Sequence, residues 1–413
     1  MSGKPGQARG RPRIGLALAG GGTEGAIYEI GALRALEEAC EGLEVDDLDV
    51  YVGVSAGSFV AACLANRMTS GQLCRATFEN DRIKLPFEPD TFFRPAVGEW
   101  WRRVLMMPGL AFDALRDYAA NPKDQSLLDS LSGLTRGLPV GVFDNDPIRA
   151  YLEKVLMLHG RTDDFRQLGT RLFIVAADLD SGQAVRFGEP GMDHVPISRA
   201  VQASTALPGL YPPVEIEGRH YVDGVLLKTL HASVALDAGA ELLFCLNPIV
   251  PVDTSESVAA GVMRRGKLIN RGLPSVLSQT FRTLVHSRLA AGLSSYEPRY
   301  PGVDLILLEP DRNDYSMFFT NIFKLSSRRL VCEHAYRATR RQLFRRREEL
   351  EPILARHGIG LRVDSLREER DLEPTLGIRQ RPRAAVTDEL NRTLTRLEDL
   401  MREADARVGP AAR

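Results

Sequence analysis

A serine becomes a nucleophile only where its hydroxyl is lifted clear of the chain and a base stands beside it. The stretch that offers this is Asp49-Val50-Tyr51-Val52-Gly53-Val54-Ser55-Ala56-Gly57-Ser58-Phe59. It reads as a strand running into a serine set between two glycines, followed at once by the helix-prone run Val60 to Ala65. A sharp strand-to-helix turn presents such a serine above the end of a sheet, and Gly53 and Gly57 lack the Cβ atoms that would collide there. Ser55 is therefore the candidate nucleophile. The pentapeptide alone is a weak signal in a chain rich in glycine and serine, so its surroundings have to carry the rest.

Upstream, Ile14 to Ala19 is an apolar run of strand length closed by Gly20-Gly21-Gly22-Thr23-Glu24-Gly25, and Ile27, Ile30, Leu33 and Leu36 then recur at helical spacing. Backbone N–H groups of such a loop, at the positive end of a helix, form an anion site. Three readings compete: a dinucleotide fingerprint, a plain tight turn, and an oxyanion hole. The first wants an acidic residue at the far end of the second strand to grip a ribose, yet that position carries Ser55. The oxyanion hole, with amides of Gly21 and Gly22 as donors, is favoured.

The base is the informative question. All seven histidines follow the serine, as a conventional triad would require, but none of His194, His220, His231 and His286 stands in a glycine-flanked terminal loop. Asp223 does stand where a strand, Arg219 to Val222, stops at a glycine, Gly224, the same kind of place as Ser55. Asp-Gly alone is a common turn. Together with the glycine loop and the serine turn it becomes the candidate proton acceptor.

In this order, Gly20-Gly21-Gly22-Thr23-Glu24-Gly25, Gly53-Val54-Ser55-Ala56-Gly57, Ala203-Ser204-Thr205-Ala206-Leu207-Pro208 and Asp223-Gly224 resemble the four sequence blocks of the patatin-like phospholipases, over about residues 14–310. The resemblance implies a Ser-Asp dyad, with Ser55 as nucleophile, Asp223 as general base, and Gly20, Gly21 and Gly22 as oxyanion hole. Gly25, Gly53, Gly57 and Gly224 would support the motif. It also implies a lipid acyl hydrolase of phospholipase A or lysophospholipase type, a three-layer α/β/α fold around a mostly parallel sheet, and no metal or organic cofactor. Family members usually carry Arg or Lys where Glu24 stands, and Gly or Ala where Val225 follows Asp-Gly. The alternatives are an esterase or thioesterase on soluble acyl substrates, a catalytically weak lipid-binding or scaffold protein, and a histidine-triad hydrolase.

The elements that must position these residues are legible as apolar strand runs alternating with helices. Leu172 to Ala177, Ala184 to Phe187, Glu241 to Leu246 and a last strand at Val303 to Leu308 read as strands, and Ile197 to Ser204 and Ser233 to Gly239 as helices. The aromatic-rich piece Phe87 to Tyr118, with Phe92, Phe93, Trp100, Trp101, Met106 and Met107, reads as a helical cap filling its own small core, with a lipid-facing lid as the alternative. Lys324 to Arg356 reads as one long helix with a solvated arginine face, an anionic lipid surface being the sharper alternative.

The expected layout is a basic tail (1–13), a catalytic domain (14–310) with an insertion or cap at 85–140, a helical extension (311–361), a charged linker (362–384) and a C-terminal amphipathic helix (385–413). That helix is marked by Val386, Leu390, Leu394, Leu397 and Met401. Of 413 residues, 44% are hydrophobic and 26% charged, with a net charge of -1, so global charge names no partner and nucleic acid is not expected. Cys40, Cys63, Cys74, Cys245 and Cys332 are odd in number and widely spaced, which suggests buried free thiols in a reducing compartment. No apolar run is long enough to span a membrane. The expectation is a cytoplasmic protein, with peripheral membrane contact and oligomeric state left open.

Overall fold

A computed structural model of the chain describes residues 12–78, 93–120, 137–253, 255–259, 268–312 and 325–377. The first residues of the basic tail, Phe92, Lys324 and the amphipathic repeat from Val386 to Met401 lie outside the described residues.

Strands β1 (Ile14–Leu18), β2 (Cys40–Glu41), β3 (Val50–Val54), β4 (Arg171–Asp178), β5 (Ala184–Phe187), β6 (Val214–Ile216), β7 (Arg219–Asp223), β8 (Leu242–Leu246) and β9 (Asp304–Leu308) follow one another along the chain. Between them run helices α1 (Gly22–Ala39), α2 (Ala56–Ala65), α3 (Ser70–Phe78), α4 (Val97–Ala120), α5 (Asp146–Leu156), α6 (Ile197–Ser204), α7 (Ala232–Asp237) and α8 (Leu273–Ser294). Every residue of β1, β3 and β8 is buried, which is why these strands read as continuous apolar runs with no alternation. The main sheet has the order β6-β7-β4-β3-β1-β8-β9, with β1, β3, β4, β8 and β9 parallel and β5, β6 and β7 joining antiparallel.

One face of the sheet, represented by Ala17, Val52, Val54 and Cys245, packs against α7 and the Val285 and Leu289 side of α8. On the other lies α2, wholly buried against β3 and β4 with α1 beside it. The fold is the expected three-layer α/β/α arrangement around a mostly parallel sheet.

The register of β4 positions the chemistry. β3 pairs with the first part of β4, ending at Val54 opposite Val175, and β7 with the last part, ending at Asp223 opposite Ala176. Because β5 pairs with Ile174 to Ala177, overlapping both, it must occupy the other edge of β4. A rising strand and a descending one therefore meet end to end along the same edge, and the residue after β3 is Ser55 while the last of β7 is Asp223.

Two expectations need correction. The C-terminal helix is two: α9 (Leu325–Arg345) and α10 (Arg347–Arg356), separated at Arg346, whose guanidinium donates to the Leu307 carbonyl on edge strand β9 (2.7 Å). β9 is not the last strand, since β10 (Gly360–Leu361) pairs antiparallel with β2. The arginine face is in part solvated, as expected, with Arg337, Arg341 and Arg345 exposed, but several of its arginines are already engaged. Arg340 is buried, donating to the carbonyls of Ser365 and Glu368; Arg337 pairs with Glu333 and Asp371, Arg346 with Glu349, and Arg347 with Glu348.

α9 packs along α1, so closely that a Cβ on Gly31 would stand 2.3 Å from the Cys332 carbonyl oxygen. Residues up to Leu372 form one compact unit that includes this extension, and those from Glu373 belong to a second. Within the stretch expected as a charged linker, Val363–Arg367 is helical and Leu366 is buried. All five cysteines are free and buried. No helix among the described residues is long and apolar enough to cross a membrane.

Candidate active site

Ser55 lies at φ 53°, ψ -127°, in the left-handed half of conformational space that costs a non-glycine residue on the order of 1–3 kcal/mol. Its surroundings hold it there. The Ser55 N–H donates to Ser204 Oγ (2.8 Å), which in turn donates to the Val175 carbonyl (2.6 Å), and the Ser58 N–H donates to the Ser55 carbonyl (2.9 Å). The glycines on either side leave no room for a side chain: a Cβ on Gly53 would lie 2.4 Å from Ser58 Cα, and one on Gly57 2.4 Å from the Ala19 carbonyl oxygen. The latter contact exists because the Gly57 N–H donates to that carbonyl (3.1 Å), tying the serine turn to the glycine loop.

The loop passes directly over the serine. A Cβ on Gly20 would be 3.0 Å from Ser55 Cβ and 3.5 Å from its Oγ, while Gly21, as the cap before α1, and Gly22, at φ 61°, turn the chain into the helix. The Gly25 N–H closes the first turn on the Gly21 carbonyl (3.0 Å).

Asp223 is 1% exposed; its carboxylate accepts a hydrogen bond from the Val225 N–H (2.9 Å), and the Ser55 hydroxyl is near enough to weigh on its titration. Burial raises its pKa to about 7, against the pull of those two donors. The Asp223 N–H is taken by the Ala206 carbonyl (3.0 Å), and Gly224 turns where a Cβ would meet the Val175 carbonyl oxygen at 2.4 Å. Val225 is buried in the core with its side chain against Gly20, so the departure at that position fills the space beside the loop.

Glu24, the other departure, is half-buried in the first turn of α1. Desolvation raises its pKa to about 7, and Arg282 of α8 opposes that shift. The basic group near this loop is thus supplied from a helix distant in sequence, which no local motif could reveal.

Ser55 and Asp223 open on a cavity of about 110 Å³, lined among others by Phe59, Phe93, Ile148, Leu207, Leu210 and Tyr211, with Gly22 and Thr23 at the loop side. All seven histidines fall within the described residues and none lines it. His231 touches the residue after Asp223, with Nε2 3.2 Å from the Gly224 carbonyl oxygen, and is buried with its pKa pushed down to about 4 by desolvation. Ser204 is the residue sequence reasoning quoted without assigning: its hydroxyl bridges the serine turn to β4.

A larger cavity, of about 820 Å³, lies at the opposite ends of β3 and β4, where Asp49, Arg67, Arg166, Arg171, Asp193 and Asp237 mix both charges. Volume there does not coincide with chemistry. No group of acidic, histidine or cysteine side chains among the described residues could hold a metal ion.

The sequence profile of the patatin-like phospholipases matches residues 16–236, more than half of the chain. The chain belongs to the patatin-like phospholipase family. Lipid acyl hydrolysis is the chemistry of that family, and the matched span holds both Ser55 and Asp223. The sheet continues beyond that span through β8 and β9.

Among solved structures, VipD from Legionella pneumophila is similar at 16% identity and a TM-score of 0.36, covering 81% of this chain and 66% of VipD. Full-length ExoU from Pseudomonas aeruginosa, solved in complex with full-length SpcU, is similar at 21% identity and a TM-score of 0.26, covering 47% of this chain and 38% of the other. This patatin-like chain therefore spans two thirds or less of the length of the structures it resembles.

Proposed function

We propose that this patatin-like protein hydrolyses fatty acyl esters of phospholipid or lysophospholipid by a Ser55–Asp223 dyad, without metal or cofactor, in a catalytic unit spanning residues 14–310. One observation carries the reading: Ser55 and a fully buried Asp223 stand together in the wall of one apolar cavity, under a glycine loop. Ser55 Oγ attacks the ester carbonyl carbon while its proton passes to Asp223. The carbonyl electron pair moves onto oxygen, where amides of Gly20, Gly21 and Gly22 would meet it. A donor of this kind is worth about 3 kcal/mol in comparable enzymes. Collapse of the tetrahedral intermediate expels the alcohol, which takes the proton from Asp223 and leaves acyl-Ser55. Water then attacks the acyl carbon, giving its proton to Asp223, and the proton returns to Ser55 as the fatty acid leaves.

Burial serves this chemistry, because a carboxylate near its usual value of about 3.9 is a poor base at neutral pH. A second reading, an esterase for short soluble acyl chains, is favoured by the cavity volume. About 110 Å³ is well below the roughly 300–1,000 Å³ of typical ligand sites. A fluorophosphonate probe should label the wild type and fail on Ser55→Ala, and Asp223→Asn should lower ester hydrolysis by at least about a hundredfold. Near-normal turnover by Asp223→Asn would sink the dyad. A ladder of ester chain lengths separates the two substrate readings.

A further inference from the structure

Helix α4 starts at the wall of the Ser55 cavity. The strap leading into it is tied down: the Ala96 N–H donates to the Val142 carbonyl (3.0 Å), the Asp144 N–H to the Arg94 carbonyl (2.8 Å), and the N–H groups of Val142 and Phe143 to the Leu210 carbonyl (3.0 and 2.9 Å). Phe93, in the strap, meets Phe143 edge-on with ring centroids 5.3 Å apart, and both Phe93 and Leu210 line the cavity.

From that anchor α4 carries a surface unlike the expected self-filling cap. Val97, Trp100, Trp101, Val104, Leu105 and Phe112 follow the i, i+3, i+4, i+7, i+8 rhythm of one helical stripe, and each is between 46% and 75% exposed. Met106 and Met107, also exposed, widen it. A contiguous apolar stripe of this kind marks an interaction surface. The charges beside the tryptophans are paired, since Glu99 accepts from Arg103 (2.7 Å) and faces Arg102 (3.3 Å).

We propose that α4 is a docking helix that seats the mouth of the Ser55 cavity on a neutral phospholipid bilayer. The partner's identity rests on the lipid-hydrolase reading above. Paired tryptophans flanked by arginines suit the bilayer interface, where the ring enters the acyl boundary while the guanidinium stays among headgroups. With Glu99 offsetting its arginines, the helix offers little net charge, so apolar burial rather than attraction to anionic lipid drives the contact. Continuity with the cavity wall lets an acyl chain pass from the bilayer to Ser55 along Phe93 without crossing water.

Trp100 and Trp101 are the only tryptophans in the chain, so intrinsic fluorescence reports on α4 alone. Full-length Ser55→Ala, which cannot digest the probe, is mixed with phosphatidylcholine vesicles. The emission should shift to the blue, be quenched by brominated acyl chains, and keep its shift at about 0.5 M salt. In an otherwise wild-type chain, Trp100→Ala with Trp101→Ala should weaken co-sedimentation with the same vesicles by about tenfold or more. Vesicle hydrolysis should fall in parallel, and hydrolysis of a water-soluble short-chain ester should be unchanged. An unshifted spectrum, binding to anionic vesicles alone that salt abolishes, or a blue shift that tracks protein concentration without vesicles overturns the proposal, the last pointing to a second copy of the chain. A vesicle-induced shift without hydrolysis of any ester supports the docking helix and removes the hydrolase reading instead.

Discussion

Asp223 holds its proton to about pH 7 because burial penalises its charge more than the Ser55 hydroxyl and the Val225 amide relieve it. If the ionised form is the working base, kcat/KM on a soluble ester rises through about pH 7 and levels above it. Stability runs the other way. The unfolded chain releases this proton near pH 3.9, so between there and about 7 the folded state binds more protons. The stabilisation present below about pH 4 is then lost as pH rises, at up to about 1.4 kcal/mol per unit. Asp223→Asn should flatten both dependences, read as the pH–rate profile and as Tm against pH. Glu24 titrates in the same range, so Glu24→Gln is the control: a rate profile that keeps its midpoint in Glu24→Gln assigns it to Asp223, and one that loses it assigns it to Glu24.

The turn that carries the serine is an element fixed by close approach. Gly57 is the tightest link, because its amide holds the Ala19 carbonyl and its missing Cβ is what allows the contact. Gly57→Ala should therefore cost about 1–3 kcal/mol, seen as a lower Tm, and should reduce kcat more than KM rises, because it pushes the glycine loop off Ser55. Unchanged kcat in a folded Gly57→Ala protein would argue that the loop does not act on the reacting oxygen. Such contacts explain what the sequence could disclose. Glycines flanking a serine, a glycine run before a helix, and aspartate at a strand end are local requirements, and the structure brings these residues to one place. Helix Ile197–Ser204 and strand Arg219–Asp223 also lie where the residue pattern puts them. The remainder depends on partners distant in sequence. Arg346, between α9 and α10, is held by the Leu307 carbonyl, Gly360–Leu361 becomes a strand only against Cys40–Glu41, and Glu24 feels the charge of Arg282 across the fold. Exposure of α4 is hidden in the sequence for the same reason: a run of aromatic residues does not say which side of a helix finds a neighbour.

At the scale of the molecule, the helical extension is part of the body that holds the site. α1 begins at the glycine loop, and its outer side is covered by α9, where Cys332, Ala335, Tyr336 and Leu343 are buried and the Tyr336 hydroxyl reaches Glu38 (2.5 Å). β10 then fastens the chain after α10 to β2, at the other end of α1. Removing everything after residue 312 would strip these contacts from α1 and leave a large apolar surface in water, although every residue proposed for the chemistry would remain. Four buried side chains of this size are worth about 1.5–3 kcal/mol each when large and less when small, a loss comparable to the roughly 5–15 kcal/mol that holds a typical domain together. The truncated protein is expected to be insoluble or molten, with raised ANS binding, no cooperative melting transition and no labelling of Ser55 by fluorophosphonate. A truncated form that melts cooperatively near the full-length Tm and still takes the label would mean that α1 and the loop it carries are held by the sheet alone, and that α9 and α10 serve some purpose other than supporting the site.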